Sequence, residues 1–225
     1  QKLSNLQRDE AAQLITRSAA GMLQYQPSAI DAILDLTFGH PYFTQLVCYV
    51  LFNRLQPPST STVTKADVEC VVDEALEIGT GALDWFWEGL PRSERIVLSA
   101  VTQVTSQGQA ATEEQILDVL HAHQVRLLGT ELTSAPQRLA DWEIIQPTGG
   151  DSFRCSVELI RRWIVKEHPL SRIKQDIDLV SQRATRYYNN ARDAHLSGDL
   201  PSAIDDYRRA LAANPHHSAA QLGLA

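Results

Sequence analysis

The sequence has few of the features that mark secreted or membrane proteins. Its three cysteines, Cys48, Cys70 and Cys155, are odd in number and far apart, which excludes a disulfide framework and predicts reduced thiols. No run of 18 apolar residues and no charged-then-apolar leader occurs, so we expect neither a membrane span nor a signal peptide. These absences predict a cytoplasmic protein without a membrane partner.

Positive charge is also scarce. The formal net charge is −7 and the pI is about 5.5, and residues 57–90 carry one lysine against seven acids. A basic field of the kind that holds a phosphate backbone is therefore missing, which disfavours DNA as a partner. The acids of this segment are expected to form a solvated helix face, with a metal site as the alternative.

Catalytic motifs are absent from the sequence as well. No Gly-Lys pair occurs, which excludes a phosphate-binding P-loop, and no serine or cysteine lies in a Gly-x-Ser-x-Gly elbow. His121 and His123 lie two apart on a predicted helix and cannot share a metal from one face, and His216-His217 has no cysteine nearby. We therefore predict no catalytic residue, no metal ligand and no enzyme activity for this chain.

With 44% apolar residues, the 225-residue chain is long enough for about two domains.

A sharp corner between two helices is the strongest local signal. A helix through Thr37 is expected to stop at Phe38, because Gly39 can take a left-handed cap and Pro41 cannot extend a helix behind it. Pro41 then opens the next helix, where its missing N–H has no helical partner to lose.

The residues around this corner resemble the lid of STAND-class AAA+ ATPases, signalling P-loop proteins in which many bacterial members read GGHPYLLQ. The matching string here is Phe38-Gly39-His40-Pro41-Tyr42-Phe43-Thr44-Gln45. The resemblance implies that residues 1–56 are the lid of a truncated ATPase, that Gly39 and Pro41 contact adenine, and that His40 lies beside them. It implies ATP or ADP with Mg in the full-length protein, held by an upstream P-loop domain, and no cofactor bound by this chain alone. The alternative is a turn between two core helices, with His40 a solvated cap residue.

Residues 57–90 are predicted to form an acidic connector of helices. Residues 57–62 are expected to be a loop, and Thr64 caps the following helix with Asp67 at its third position. We expect a hinge at residues 79–81. Trp85-Phe86-Trp87 cannot all face one core from one helix, so at least one ring should bridge two domains. Stacking on nucleic acid is the alternative, which the acids disfavour.

Residues 91–170 have the element order of a winged helix, with three helices, a hairpin and a closing helix. The third helix is predicted from about Thr133, limited by Pro136, and the hairpin strands are residues 142–146 and 152–155. The family resemblance implies an intramolecular clamp here, although the Met-His-Asp sensor of many members is replaced by Cys155-Ser156-Val157. The alternative is DNA reading by the third helix, which has one arginine against two acids with its flanks.

Residues 171–225 are expected to hold a linker helix and the first tetratricopeptide repeat or repeats. From Ala184 to Pro215 the spacing of small, turn and aromatic residues resembles one such repeat, since small residues let paired helices cross closely and glycine turns the chain between them. The structural positions are Ala191, Gly198, Ala203, Tyr207, Ala210 and Pro215. A single repeat cannot bury its apolar face, so we expect the stack to continue.

The repeat would bind a protein or peptide on its concave side. The residues expected there are Thr185, Tyr188, Arg192, His195 and Leu196. In the alternative interpretation this repeat is only the base of the stack and contacts the winged helix. The residues predict a mainly α chain, and the resemblance implies the regulatory region of a STAND-like ATPase. The runner-up is a DNA-binding regulator with an effector-binding repeat, and the third class is a pure scaffold.

Overall fold

The structure is a computed structural model that describes residues 5–55, 61–105, 109–125, 129–214 and 217–224. The chain divides into two compact units, Gln1–Leu170 and Ser171–Ala225. The predicted mainly helical fold is confirmed. The described residues form twelve helices and five short strands. None of these helices has both the length and the apolar character needed to cross a bilayer.

The first unit contains nine helices among its described residues. In chain order they are α1 Arg8–Ser18, α2 Pro27–Thr37, α3 Pro41–Leu55, α4 Lys65–Cys70, α5 Val72–Gly89, α6 Arg92–Val104, α7 Glu113–Ala122, α8 Gly129–Asp141 and α9 Glu158–Glu167. The strands are β1 Leu23–Tyr25, β2 Ser61–Val63, β3 Ala111–Thr112, β4 Ile145–Pro147 and β5 Ser152–Cys155. Strands β1 and β2 pair in parallel, and the other three form an antiparallel sheet in the order β3-β5-β4.

The corner between α2 and α3 forms as predicted. Phe38 and Gly39 both take left-handed backbone conformations, with φ of 50° and 68°, and α3 begins at Pro41. Thr37 and Thr44 are fully buried, and the hydroxyl of Thr44 donates to that of Thr37 over 3.0 Å. The two helices are thus joined by a buried hydrogen bond immediately behind the turn.

The parallel pair of β1 and β2 was not predicted. Residues 61 and 62, expected in a loop, pair with residues 23 and 24, and the N–H of Gln26 donates to the carbonyl of Val63 over 3.0 Å. Strands of three residues are too short to show the alternation by which a strand is read from sequence. The pairing fixes the entry to α4 beside the exit from α1.

The connector helices pack more continuously than the sequence indicated. Thr64 and Asp67 form the predicted capping box, in which the Thr64 N–H donates to Asp67 Oδ2 over 2.8 Å. The predicted hinge at residues 79–81 is wrong, because α5 runs unbroken through them. Gly79 instead allows close packing, since a Cβ there would lie 2.8 Å from Cδ2 of Leu46.

The segment from α6 to α9 differs from the prediction at the third helix and its exit. Helix α8 begins at Gly129, with Pro136 inside it, so the proline does not limit its start. Residues 142–144 are not strand. Glu143 has a φ of 59°. The N–H of Ile144 donates to the carbonyl of Leu139 over 3.0 Å, which caps the C-terminal end of α8. The strand begins only at Ile145, and the unpredicted β3 pairs with β5.

The second unit is helical in its described part. Helix α10 begins at Leu170 and ends at Ser197, α11 is Leu200–Ala213, and α12 is Ser218–Leu224. Gly198 has a φ of 82° in the turn between α10 and α11, and the Asp199 carboxylate accepts from the Ser202 N–H over 3.3 Å to cap α11. Small residues and one aromatic form its buried core, namely Ala191, Ala203, Tyr207, Ala210 and Ala220.

Candidate functional site at the helix corner

Gly39 is covered by the backbone of Leu6. The Leu6 N–H donates to the Gly39 carbonyl over 3.0 Å, and a Cβ on Gly39 would lie 2.6 Å from the Leu6 carbonyl oxygen. Gly39 also has a positive φ. Because a side chain would both strain the backbone and collide with Leu6, this position requires glycine. His40 and Pro41 are partly exposed beside it. Adenine contact by Gly39 and Pro41, with His40 beside them, stays a prediction.

Two cavities open to solvent flank the corner. The first, of about 370 Å³, is lined by Asn5, His40, Tyr42, Phe43, Ala82, Trp85, Phe86, Trp142, Glu143, Ile144, Val157 and Ile160. The second, of about 380 Å³, is lined by Asn5, Leu6, Gln7, Arg8, Leu34, Phe38, Gly39 and Glu143. Both volumes fall within the range of small-molecule pockets. We name them the aromatic cavity and the glycine cavity.

Asn5 and Glu143 belong to the walls of both cavities. The Asn5 side-chain amide donates to Glu143 Oε2 over 3.3 Å. The turn after α8 positions the carboxylate, because the N–H of Glu143, which has a left-handed backbone, donates to the Ala140 carbonyl over 2.9 Å. A polar partition therefore separates the two cavities. Sequence reasoning missed both residues, since 138 positions separate them and Glu143 was assigned to a strand.

Aromatic side chains dominate the wall of the aromatic cavity. The Phe43 ring lies 4.8 Å from His40 and 5.3 Å from Tyr42, centroid to centroid, with an edge-on arrangement to Tyr42. Tyr42, Trp85 and Trp142 are 42%, 80% and 49% exposed. Because these three rings line one cavity, they form a shared exposed apolar surface, and surfaces of that kind mark interaction or ligand sites.

His40 brings an uncharged imidazole to this wall. Burial lowers the pKa of His40. The ring is therefore neutral at neutral pH. Its Nδ1 atom is buried and makes no hydrogen bond to any residue that the structure describes. A ligand with a suitable hydrogen-bonding group would satisfy that nitrogen if it reached it.

The three consecutive aromatic residues Trp85, Phe86 and Trp87 lie in different surroundings, and the prediction that one of them bridges two domains stays a prediction. Trp87 is buried and stacks on His168 at 4.2 Å, with the Trp163 ring of α9 at 6.1 Å. Trp87 thus joins the connector to the segment predicted as a winged helix. Trp85 and Phe86 instead line the aromatic cavity.

Helix α8, which would read DNA in the alternative interpretation, has no free cation among its described side chains. Arg138, the one basic residue of α8, forms an ion pair with Glu94 of α6. Only 1% of the Glu94 side chain is exposed, and its other oxygen accepts from the Ser93 hydroxyl over 2.9 Å. The Arg138 guanidinium is therefore paired with the buried Glu94 carboxylate.

The residues predicted for peptide binding lie on α10. Thr185, Arg192, His195 and Leu196 are exposed. Tyr188 is half-buried, with its ring 6.1 Å from Tyr207 and 5.0 Å from His217. The structural positions Ala191, Ala203, Tyr207 and Ala210 are buried together, Gly198 makes the turn, and Pro215 lies outside the described residues.

The thiols and acids show no reactive arrangement in the described part of the chain. Burial raises the pKa of Cys48 to about 11 and that of Cys155 to about 12, so both stay protonated at neutral pH. Burial also raises the pKa of Tyr25 above its usual value. Among the described residues, no three His, Cys, Asp or Glu side chains are grouped closely enough to hold a metal ion.

Comparison of the chain with protein-family models, curated proteins and solved structures found no match.

Proposed function

We propose that this chain is the lid, connector, winged-helix and first repeat region of a STAND-like signalling ATPase. The observation that carries the proposal is the pair of cavities beside the corner, one lined by His40 and the other by Gly39. A nucleotide held by an upstream P-loop domain would rest its base against this corner. This chain would supply the movable wall of the site rather than the catalytic residues.

The glycine cavity suits a purine. Phe38 is 38% exposed and offers a ring for stacking, and the Asn5 side chain has hydrogen-bonding capacity beyond its bond to Glu143. Among the described residues of the wall, Glu143 is the one carboxylate, and Arg8 is already paired with Asp31. The phosphates and Mg would therefore be held by the upstream domain, where the metal neutralises phosphate charge.

The segment from α6 to α9 supports the clamp role. A helix, a short strand, two helices and a hairpin follow one another, and the first strand pairs with the last in the order β3-β5-β4, as in a winged helix. The clamp is tied to the connector by Trp87 on Trp163 and by an ion pair of 3.0 Å from Arg162 to Glu69. Movement of the connector would therefore be passed to the winged helix.

The second unit supports a sensor role. Two helices joined by a left-handed Gly198, with Ala191, Ala203 and Ala210 buried between them, have the pattern of a tetratricopeptide repeat. A protein or peptide trigger would bind the exposed face of α10. Signalling would then be a population shift, in which the trigger binds the open arrangement more tightly than the nucleotide-closed one.

The DNA-binding alternative is weaker because Arg138 forms an ion pair with Glu94.

The proposed nucleotide-facing corner is tested by photolabelling the complete gene product with 8-azido-ADP and mapping the labelled peptides. We expect label in the peptide that contains residues 38–42, removed by excess ADP. Label that never falls in this peptide would contradict a nucleotide-facing corner.

A further inference from the structure

The aromatic cavity has an unusual combination of wall residues. Among the described residues of the wall, six side chains carry rings, the carboxylate of Glu143 is the one charged group, and none is lysine or arginine. The ring-bearing residues are His40, Tyr42, Phe43, Trp85, Phe86 and Trp142. The faces of aromatic rings carry negative partial charge, so such a wall attracts cations that are themselves apolar.

The surroundings of the cavity reinforce this preference. Asp84 and Glu88 are exposed on the same turns of α5 as Trp85. The Asn5 amide orients the Glu143 carboxylate at the wall. Because burial lowers the pKa of His40, its ring adds no positive charge at neutral pH. An anionic ligand would therefore be repelled.

Packing among the described residues of the first unit does not bury the rings of Trp85 and Trp142. Trp87 is the tryptophan of α5 that enters the core, whereas Trp85 two residues earlier is 80% exposed. Trp142 directly follows the end of α8 and is 49% exposed. Rings that stand at a cavity mouth lose water-exposed apolar surface only when a ligand enters.

We propose that the aromatic cavity binds an alkylated ammonium group, caged by Tyr42, Trp85 and Trp142 and paired with the carboxylate of Glu143. A quaternary ammonium spreads its charge over methyl groups, so it is weakly hydrated and contacts ring faces well. The group would belong either to a free small molecule such as choline or to a trimethylated lysine side chain. This binding is separate from nucleotide binding, which the proposed function assigns to the glycine cavity.

The first test compares choline with 3,3-dimethylbutan-1-ol, a neutral molecule of the same shape. Saturation-transfer NMR on the methyl protons reports binding of each to the protein. We expect choline to bind roughly tenfold more tightly than the neutral alcohol, because the alcohol keeps the apolar contacts and lacks the charge. Equal binding of the two probes would overturn the proposal, as would absence of choline binding at millimolar concentration.

The second test uses variants of the wall. Trp85→Leu and Trp142→Leu should each weaken choline binding several-fold, and Glu143→Gln should weaken choline without weakening the alcohol. Tyr49→Leu is the matched control, since Tyr49 is 56% exposed on α3 but does not line the cavity. Trp85 is so exposed that its loss should leave the thermal unfolding midpoint unchanged. An equal effect of Tyr49→Leu and Trp85→Leu would contradict the cage.

A third arm separates the two sources of the cation. Peptides carrying trimethyllysine or unmodified lysine are titrated beside choline. Tighter binding of the trimethyllysine peptide than of choline assigns a protein ligand, and the reverse assigns a small molecule. Displacement of choline by adenosine at equal concentration would overturn the proposal, because the cavity would then be a purine site.

Discussion

Arg138 of α8 forms an ion pair with Glu94 of α6, and the Glu94 carboxylate is 1% exposed. Arg138→Ala would leave a buried charge without its partner, a change that is strongly destabilising in buried pairs. Since half of the Arg138 side chain is exposed, we expect a loss of about 2 kcal/mol in the free energy of unfolding, measured with urea. Arg8→Ala, which breaks the exposed pair with Asp31, is the control and should cost less than about 1 kcal/mol. Equal losses would contradict this assignment.

The same ion pair predicts the outcome of a DNA-binding assay. Because α8 has no free basic side chain and the chain carries a net charge of −7, we expect no gel shift with mixed duplex DNA at low salt. A shift that disappears steeply as salt is added would instead support the transcription-regulator alternative.

Gly39 and Gly21 form a matched pair for testing the corner. Both have positive φ, but a Cβ at Gly39 would strike the Leu6 carbonyl, whereas a Cβ at Gly21 would meet no atom within 4 Å. Gly21→Ala should therefore cost about 1 kcal/mol from the backbone alone, and Gly39→Ala about 3 kcal/mol. Urea unfolding of the two variants measures the difference. Equal costs would show that the contact with Leu6 does not constrain the corner.

Glu158 predicts a defined dependence of stability on acid. Burial alone would raise the pKa of Glu158, but hydrogen bonds and charge from Arg161 and Arg162 outweigh it and hold the pKa below the usual 4.5. The stabilisation is thus complete above about pH 4.5 and is lost as the pH falls through the lower folded-state value.

The variant Glu158→Gln tests this by removing the titrating group. Its deficit in unfolding free energy relative to the unaltered protein should be largest at pH 7 and shrink as the pH approaches 3. Exposed Glu114→Gln should show little deficit at either pH. A deficit for Glu158→Gln that does not change with pH would contradict the role of the ion pairs.

Local signals in the sequence predicted local structure well. The corner at Gly39 and Pro41 and the capping box at Thr64 form as expected, because each depends on residues within a few positions of one another. Gly79 was misread as a hinge, since its role depends on the distant Leu46. The sequence next to a helical glycine does not show whether the glycine allows close packing or interrupts the helix.

The candidate site was only partly predictable for the same reason. Its corner residues were found from their local pattern. The cavity walls combine Asn5, Trp85 and Glu143, which only the folded chain brings together. Trp85 was noticed as one of three consecutive aromatics, but its exposure depends on which ring enters the core. Periodicity could not assign that ring in advance.

The affinity of the complete gene product for ADP most directly tests the proposed nucleotide-facing corner. Phe38→Leu removes the exposed ring beside Gly39 and keeps an apolar side chain, and Tyr49→Leu makes the same kind of change on α3 away from both cavities. Isothermal titration should show a roughly tenfold rise in the Kd for ADP with Phe38→Leu and none with Tyr49→Leu. An unchanged Kd in the Phe38 variant, or no ADP binding by the complete protein, would contradict the proposed function.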